Sequence, residues 1–142
     1  MRIFKSKFKS KSDRCGAAAV EFAVVAPVLV LLTFSMMEGS RFLQATDAAQ
    51  GAAREASRAA AIFGPNCPSC QEIAEKFMNN SGFPSDNIEV IQRTEPVSVP
   101  GYHLIEYTVR IDYSDVSLLG NPFSFNVTRI EGHSAILAEI SP

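Results

Sequence analysis

The sequence predicts an α+β fold, in which one long N-terminal helix and a short second helix precede a small antiparallel sheet of three or four strands. Residues 17–63 join an apolar run to an alanine-rich stretch and end at a Gly-Pro pair, a common helix stop. Residues 103–113 alternate apolar and polar side chains, as a strand with one buried face does. Because the predicted helices precede the strands and do not alternate with them, the fold belongs to the α+β class.

The first half of the long helix is apolar enough to cross a membrane. The run Gly16–Met37 is long enough, because roughly 20 apolar residues span about 30 Å of hydrocarbon. Its one charged residue is Glu21, and a charge inside a span costs about 2.5–3.5 kcal/mol on insertion scales. Pro27 removes a backbone hydrogen bond and predicts a bend. We therefore predict a transmembrane helix over residues 17–37, with a functional role for Glu21.

The charge distribution predicts the orientation of this span. Residues 1–15 carry six basic side chains against Asp13, a net charge of +5, whereas the whole chain carries −2. Basic residues beside a span remain in the cytoplasm. We therefore expect residues 1–16 to form a basic cytoplasmic leader, disordered over residues 1–14, and residues 38–142 to form an acidic exported domain, which offers no field for nucleic acid. A cleaved secretory signal peptide has a shorter apolar core, and an uncleaved signal anchor leaves Glu21 unexplained.

The second half of the long helix, residues 38–63, is amphipathic. Its apolar side chains recur at spacings of three and four residues and form one stripe. Nearly all members are alanine, which allows another backbone to come close, so the stripe is expected to pack on a sheet or on a neighbouring helix. The members of the stripe are Phe42, Ala45, Ala49, Ala52, Ala56, Ala59 and Phe63.

The remaining segments predict one short helix and several strands. The helix is expected over residues 69–79, with Ser69 as N-cap and Glu72 completing a capping box. The strands are expected at residues 87–94, 103–113 and 123–140, with a turn at 95–101 and a loop at 114–122. Gly132 is expected to mark a bulge where the last strand changes its facing. The inward-facing residues are expected to be Ile88, Val90, Ile105, Tyr107, Val109, Ile111, Tyr113, Phe123, Phe125 and Val127.

Three stretches together resemble a known family. They are Gly-Ala-Ala-Ala-Val-Glu-Phe at residues 16–22, Glu-Gly-Ser-Arg at residues 38–41 and Ala-Ala-Arg-Glu-Ala at residues 52–56. In this order they resemble the TadE-like family, the minor pilins or pseudopilins of the tight-adherence (Tad, Flp) branch of type IV pilus systems. The resemblance covers about residues 14–60 and implies a pilin-like fold. Flp major pilins share the first stretch but are much shorter.

The resemblance implies a non-catalytic role in assembling Tad pili for surface attachment. It implies cleavage between Gly16 and Ala17 by a prepilin peptidase, and it implies that Glu21, with its neighbour Phe22, serves assembly. The expected partners are that peptidase, other minor pilins, the Flp major pilin and the inner-membrane assembly platform. The expected location is the bacterial inner membrane, as a single-pass protein with a cytoplasmic N-terminus and a periplasmic domain.

Cys67 and Cys70 flank Pro-Ser, and this spacing allows three interpretations. An exported domain permits a structural disulfide, which we favour. A thioredoxin-like redox pair uses the same spacing, but that fold places a βαβ frame before the motif. Zinc would need two further ligands, and only His103 and His133 remain, at no recognisable spacing. A membrane-anchored thiol oxidoreductase and an uncleaved envelope scaffold are thus the alternative functions.

Other polar residues predict no catalytic site. His103 and His133 are expected to be isolated residues of strands or turns, and Asp112 and Asp115 are expected to be solvated charges. The sequence contains no Gly-rich phosphate loop and no HExxH motif. We therefore predict no cofactor, no metal and no enzymatic activity.

Overall fold

A computed structural model of the protein describes residues 11–64, 66–99, 101–118, 120 and 128–139. Its elements are helix α1 (Lys11–Phe63), helix α2 (Cys70–Asn80), a 3₁₀ turn (Ser85–Asn87), strand β1 (Ile88–Pro96), strand β2 (Tyr102–Asp112), the single helical turn α3 (Tyr113–Val116) and strand β3 (Arg129–Glu139). The predicted α+β class, with a long helix before a small antiparallel sheet, is confirmed. The described residues contain three strands, in the order β1-β2-β3.

The chain divides into two compact units, Met1–Met37 and Glu38–Pro142. In the first unit, every side chain of residues 16–37 except Ala26 is exposed. Within the described part of the chain, one helix has the length and apolar composition that a membrane span requires. That residues 17–37 cross a membrane stays a prediction.

Helix α1 begins earlier than the sequence analysis predicted. The structure is helical from Lys11, so the predicted disorder is wrong for residues 11–14, and residues 1–10 lie outside the described residues. No glycine or proline separates Lys11 from Cys15, and extending an existing helix by one residue is much easier than nucleating a new one. The strong helix that follows therefore extends backward through this polar segment. Pro27 lies inside α1, as expected.

The sheet of the second unit is antiparallel throughout and in a continuous register. Across the three strands, Val90 pairs with Val109 and Val109 with Gly132, while Ile111 pairs with both Ile88 and Ile130. Residues paired across strands point to the same side of a sheet. One face therefore collects the apolar residues, and the charged residues Glu89, Arg110 and Glu131 share the opposite face.

The alanine stripe of α1 forms the helical half of the core. Its five alanines are buried, as predicted, and Phe42 is half-buried. The prediction is wrong for Phe63, the last residue of the helix, which is 63% exposed. Three further alanines are buried beside the stripe, so the packed face is wider than one row. The buried alanines of α1 are Ala45, Ala48, Ala49, Ala52, Ala53, Ala56, Ala59 and Ala60.

Gly132 marks no bulge, which corrects the sequence prediction. Burial alternates without interruption from Arg129 to Glu139, and Gly132 pairs with Val109 in the regular ladder. A Cβ atom at Gly132 would overlap the carbonyl group of Ala49 and the backbone nitrogen of Gln50. The glycine is thus needed for the close approach of β3 to the backbone of α1, and not for a break in the strand.

Helix α2 has the predicted position but not the predicted cap. Ser69 is the N-cap residue, yet its side chain makes no capping hydrogen bond, so the predicted capping box is wrong. Ser69 contributes its carbonyl oxygen, which accepts a hydrogen bond from the Ile73 N–H at 2.9 Å. The buried residues of α2 are Cys70, Ala74 and Met78.

The strand predictions are confirmed in outline. In β2, Ile105, Tyr107, Val109 and Ile111 are all buried, as the period of two predicted. Tyr113 is also buried, but it was predicted to end the strand and instead begins the helical turn α3, which continues into the segment 114–122 that was predicted to be a loop. Strand β1 extends to Pro96, two residues beyond the prediction. The predicted inward residues Phe123, Phe125 and Val127 lie outside the described residues.

Candidate assembly site

The predicted processing and assembly residues lie together at the start of the apolar segment. Gly16, Ala17, Glu21 and Phe22 are all on α1 and all exposed. Ala17 and Glu21 are four residues apart, so they lie on the same face of the helix, one turn from each other. A Cβ atom at Gly16 would meet no atom within 4 Å. The described structure therefore leaves the Gly16–Ala17 bond and the Glu21 carboxylate open to other molecules.

Around Glu21 the helix is apolar on all sides. The exposed large side chains of this unit are Val20, Phe22, Val24, Val25, Val28, Leu29, Val30, Leu31, Leu32, Phe34, Met36 and Met37. Leaving one such side chain in water forgoes about 1.5–3 kcal/mol of burial free energy. A helix that is apolar all round is suited to lipid or to a bundle of other helices. The two polar side chains near its end are satisfied within the helix, since the Thr33 hydroxyl donates to the Leu29 carbonyl at 2.8 Å and the Ser35 hydroxyl to the Leu31 carbonyl at 2.8 Å.

The structure joins Cys67 and Cys70 in a disulfide at the start of α2. Both residues are buried, with Cys67 8% exposed and Cys70 1% exposed. The Ser69 hydroxyl lies 3.8 Å from the Cys67 sulfur. Among the described residues, no cluster of three or more histidine, cysteine or acidic side chains could hold a metal ion.

Glu38 is a buried carboxylate to which the sequence analysis assigned no role. It is the first residue of the second unit and is 5% exposed. The Tyr113 hydroxyl donates to Glu38 Oε1 at 2.7 Å, and the Leu118 N–H donates to Oε2 at 3.2 Å. Burial raises the pKa of Tyr113 above its ordinary value, and the hydrogen bond and negative charge of Glu38 raise it further. The sequence could not predict this site because the partners are 75 residues or more apart.

A second set of polar contacts joins α1 to the edge of the sheet. The Gln50 side chain donates to the His133 carbonyl at 2.6 Å and accepts from the His133 N–H at 3.2 Å. About two turns further along α1, the hydroxyl groups of Ser57 and Ser134 are hydrogen-bonded at 2.7 Å. The Gln50 amide therefore occupies the backbone positions that a fourth strand would use next to β3.

The expectation that His133 is isolated is wrong. Its Nδ1 lies 3.0 Å from the Thr108 hydroxyl and its Nε2 lies 3.3 Å from Glu131 Oε2. His103 lies on the inner face of β2, and its Nδ1 has no hydrogen-bond partner among the described residues. Asp112 is half-exposed and contacts the Arg129 Nε at 3.3 Å, an exposed pair of the kind that contributes at most about 1 kcal/mol.

Comparison with known proteins identifies the helical part of the chain. Residues 16–58 match the family model described as TadE-like protein. Neither the curated proteins nor the solved structures include a significant match to the chain. The matched range contains Gly16, Glu21, Glu38 and most of the alanine stripe. The resemblance indicated by the sequence motifs is confirmed for residues 16–58, less than half of the chain, which are similar to the TadE-like family.

Proposed function

We propose that the protein is a non-catalytic minor pilin or pseudopilin that is required for assembly of Tad-type pili. One observation carries the proposal: within the TadE-like range, an apolar helix exposes its side chains on every face and bears a single carboxylate, Glu21. Such a helix serves as a membrane anchor before assembly and as a packing surface afterwards. The second unit, Glu38–Pro142, is the exported domain.

The basic N-terminal segment keeps the leader in the cytoplasm, where a prepilin peptidase cleaves between Gly16 and Ala17. Cleavage leaves a free amine on Ala17, one helical turn from Glu21 on the same face. In the assembled state, the Glu21 carboxylate pairs with the terminal amine of a neighbouring pilin subunit. Both groups lose hydration when they pair in an apolar setting, so the pair specifies register more than it adds stability.

The partners follow from this role. They are the prepilin peptidase, the other minor pilins, the Flp major pilin and the inner-membrane assembly platform. Exposed apolar side chains beside Glu21, Phe22 among them, supply the packing surface between helices. The chain contributes no catalytic group, and the periplasmic domain carries no nucleic-acid or cofactor function.

The decisive experiment replaces Glu21 with alanine in cells that make the Tad pilus. Insertion depends on total apolarity and the basic leader, so the Glu21→Ala protein is expected to accumulate normally and to be cleaved. Its crosslinks to other pilin subunits and the number of pili are expected to fall sharply. N-terminal sequencing of the membrane-extracted wild-type protein should begin at Ala17.

The matched control is Glu55→Ala, which removes an acidic side chain from the same helix outside the apolar segment. It should change neither crosslinking nor pilus number. Normal crosslinking in Glu21→Ala would mean that Glu21 is only a charge that reaches the headgroups. A mature protein that keeps Met1 in cells with active peptidase would favour the uncleaved scaffold.

The competing function is a thiol oxidoreductase that uses Cys67 and Cys70. The position of the bridge at a helix N-terminus favours it, but reactive cysteines lie in accessible, electropositive surroundings and these two are buried. We expect the purified protein to reduce insulin disulfides no faster than a Cys67→Ser/Cys70→Ser variant does. Normal piliation in that variant, together with slightly lower stability, would agree with a structural bridge.

A further inference from the structure

Glu38 binds both ends of one short segment. Tyr113, the first residue of α3, donates to one carboxylate oxygen, and the backbone of Leu118, two residues after α3 ends, donates to the other. The segment 113–118 is itself closed by a hydrogen bond from the Ser117 N–H to the Tyr113 carbonyl at 3.0 Å. Glu38 therefore joins α1 to this segment as a whole, and not merely to one side chain.

The contacts beneath the segment are apolar. The ring of Tyr113 packs edge-on against Phe42 with 6.0 Å between centroids, and Val116 is 2% exposed. A carboxylate in such surroundings is costly unless its oxygens accept hydrogen bonds. Tyr113 and Val116 belong to the same buried cluster as the alanines of α1 and the inner face of β2, and Phe42 packs against that cluster. The segment 113–118 takes no part in the ladders β1-β2 and β2-β3, so loss of the Glu38 contacts would loosen Phe42, Tyr113 and Val116 while the strand pairing stays intact.

We propose that Glu38 is a latch that holds the 113–118 segment closed on α1, and that this segment opens as a local unit when the latch is released. Opening uncovers an apolar surface that includes Phe42, which lies five residues after Met37, the last residue of the exposed apolar segment. This conformational device does not rest on the proposed pilus function. It predicts that the Tyr113 hydroxyl and the Leu118 N–H, which both donate to Glu38, stabilise the closed state.

The test is hydrogen exchange measured by mass spectrometry on the full chain in detergent micelles. Glu38→Gln keeps the shape of the side chain but removes its charge: the amide oxygen can still accept from the Leu118 N–H and the amide N–H can donate to the Tyr113 oxygen, so two charge-assisted hydrogen bonds become neutral ones. Exchange in peptides covering 113–118 is expected to become about tenfold faster, because hydrogen bonds to a charged group are stronger than neutral ones. Exchange in peptides from β2 and β3 should not change. The control Glu55→Gln, on the same helix, should change neither.

Tyr113→Phe provides a second variant that keeps the ring and removes only the hydroxyl. It should also accelerate exchange in 113–118, and the double variant Glu38→Gln/Tyr113→Phe should accelerate it by less than the product of the single effects, because the two share one bond. Equal acceleration in all peptides, or multiplicative effects in the double variant, would overturn the latch. A spectrophotometric titration adds an independent readout: the Tyr113 phenol should ionise at lower pH in Glu38→Gln, and an unchanged titration would also count against it.

Discussion

At the scale of single residues, two glycines determine how closely the layers of the second unit pack. Gly132 lies against the backbone of Ala49, and Gly51 lies under the ring of Phe77, where a Cβ atom would come within 2.6 Å of Cε1. A Cβ atom would displace different groups at the two glycines. A phenylalanine ring can turn aside, whereas the backbone of a packed helix cannot. The sequence alone suggested a bulge at Gly132 because a glycine in a strand has several explanations, and its partner is more than 80 positions away.

Gly132→Ala is expected to destabilise the protein by about 1–3 kcal/mol, because the new methyl group must push β3 away from α1. The free energy of unfolding in urea, measured on the full chain in detergent, would show the loss. Gly39→Ala is the matched control, since a Cβ there would meet nothing within 4 Å and alanine favours the helix by up to about 1 kcal/mol. If Gly132→Ala were as stable as the wild type, the close approach of β3 to α1 would be disproved.

Two buried tyrosines determine how the free energy of unfolding is expected to change at alkaline pH. Burial raises the pKa of Tyr107 and of Tyr113 above the ordinary value of 10.0, and Glu38 adds to the shift at Tyr113. The folded state thus holds these protons more tightly than the unfolded state does. The resulting stabilisation is fully present below about pH 10 and is lost as pH rises through the higher pKa values of the folded protein.

We therefore expect the free energy of unfolding to fall as the pH rises above about 10, and to fall less steeply in Tyr113→Phe. Denaturation in urea at a series of pH values would measure both slopes. A Cys15→Ser background removes the third cysteine of the chain, because a thiolate at that position could exchange with the Cys67–Cys70 disulfide at high pH. Identical slopes in the wild type and in Tyr113→Phe would mean that Tyr113 ionises as easily in the folded chain as in the unfolded one.

At the scale of elements, the sequence patterns predicted those structural features that depend on one helix or one strand alone. The alanine stripe of α1 and the period of two in β2 were predictable because each records one buried face along one element. Three other features were not predictable: the exposure of Phe63, the missing side-chain cap at Ser69 and the helical turn α3. Each of them depends on contacts with other elements of the fold. The same reason applies to the candidate site: Glu21 stands out in the sequence as a charge in an apolar run, whereas Glu38 becomes distinctive only once Tyr113 is beside it.

The contact between α1 and the edge of β3 can be tested through Gln50. Gln50→Glu keeps the size of the side chain but replaces its donor with an oxygen, which then faces the His133 carbonyl. A loss of about 1 kcal/mol in the free energy of unfolding is expected, together with faster hydrogen exchange at the His133 amide. Gln44→Glu, an exposed change on the same helix, serves as control and should have little effect. Equal effects of the two substitutions would show that charge on α1, and not the contact with β3, is responsible.

At the scale of the whole molecule, the two units differ in the interactions that stabilise them. The core residues all lie between Ala45 and Ala138, within the second unit, whereas the apolar side chains of the first unit are exposed. The first unit needs lipid or other helices, and the second has its own core. The charge asymmetry and the apolar run made this division predictable, although its functional meaning belongs to the proposed role in pilus assembly.

A chain that begins at Glu38 is therefore expected to fold in water without detergent. Its thermal unfolding, followed by circular dichroism, should be cooperative, because the sheet and the alanine face of α1 are both present. A chain that begins at Arg54 should fail to fold, since it lacks Ala45, Ala48, Ala49, Ala52 and Ala53, which cover the sheet. Aggregation of the longer chain under conditions that keep the full protein folded in detergent would mean that the core depends on the apolar unit.

The position of Gln50 also limits how such molecules could join into a filament. A fibril that grows by adding strands needs two edge strands on every subunit whose backbone groups are open to hydrogen bonds from a neighbour. Here the described part of β3 has its backbone at His133 already bound by a side chain of its own helix, so a neighbour's strand would first have to displace that side chain. Addition of a neighbour's strand at this part of β3 would therefore cost the two Gln50 hydrogen bonds, which disfavours edge-to-edge association of the sheets there.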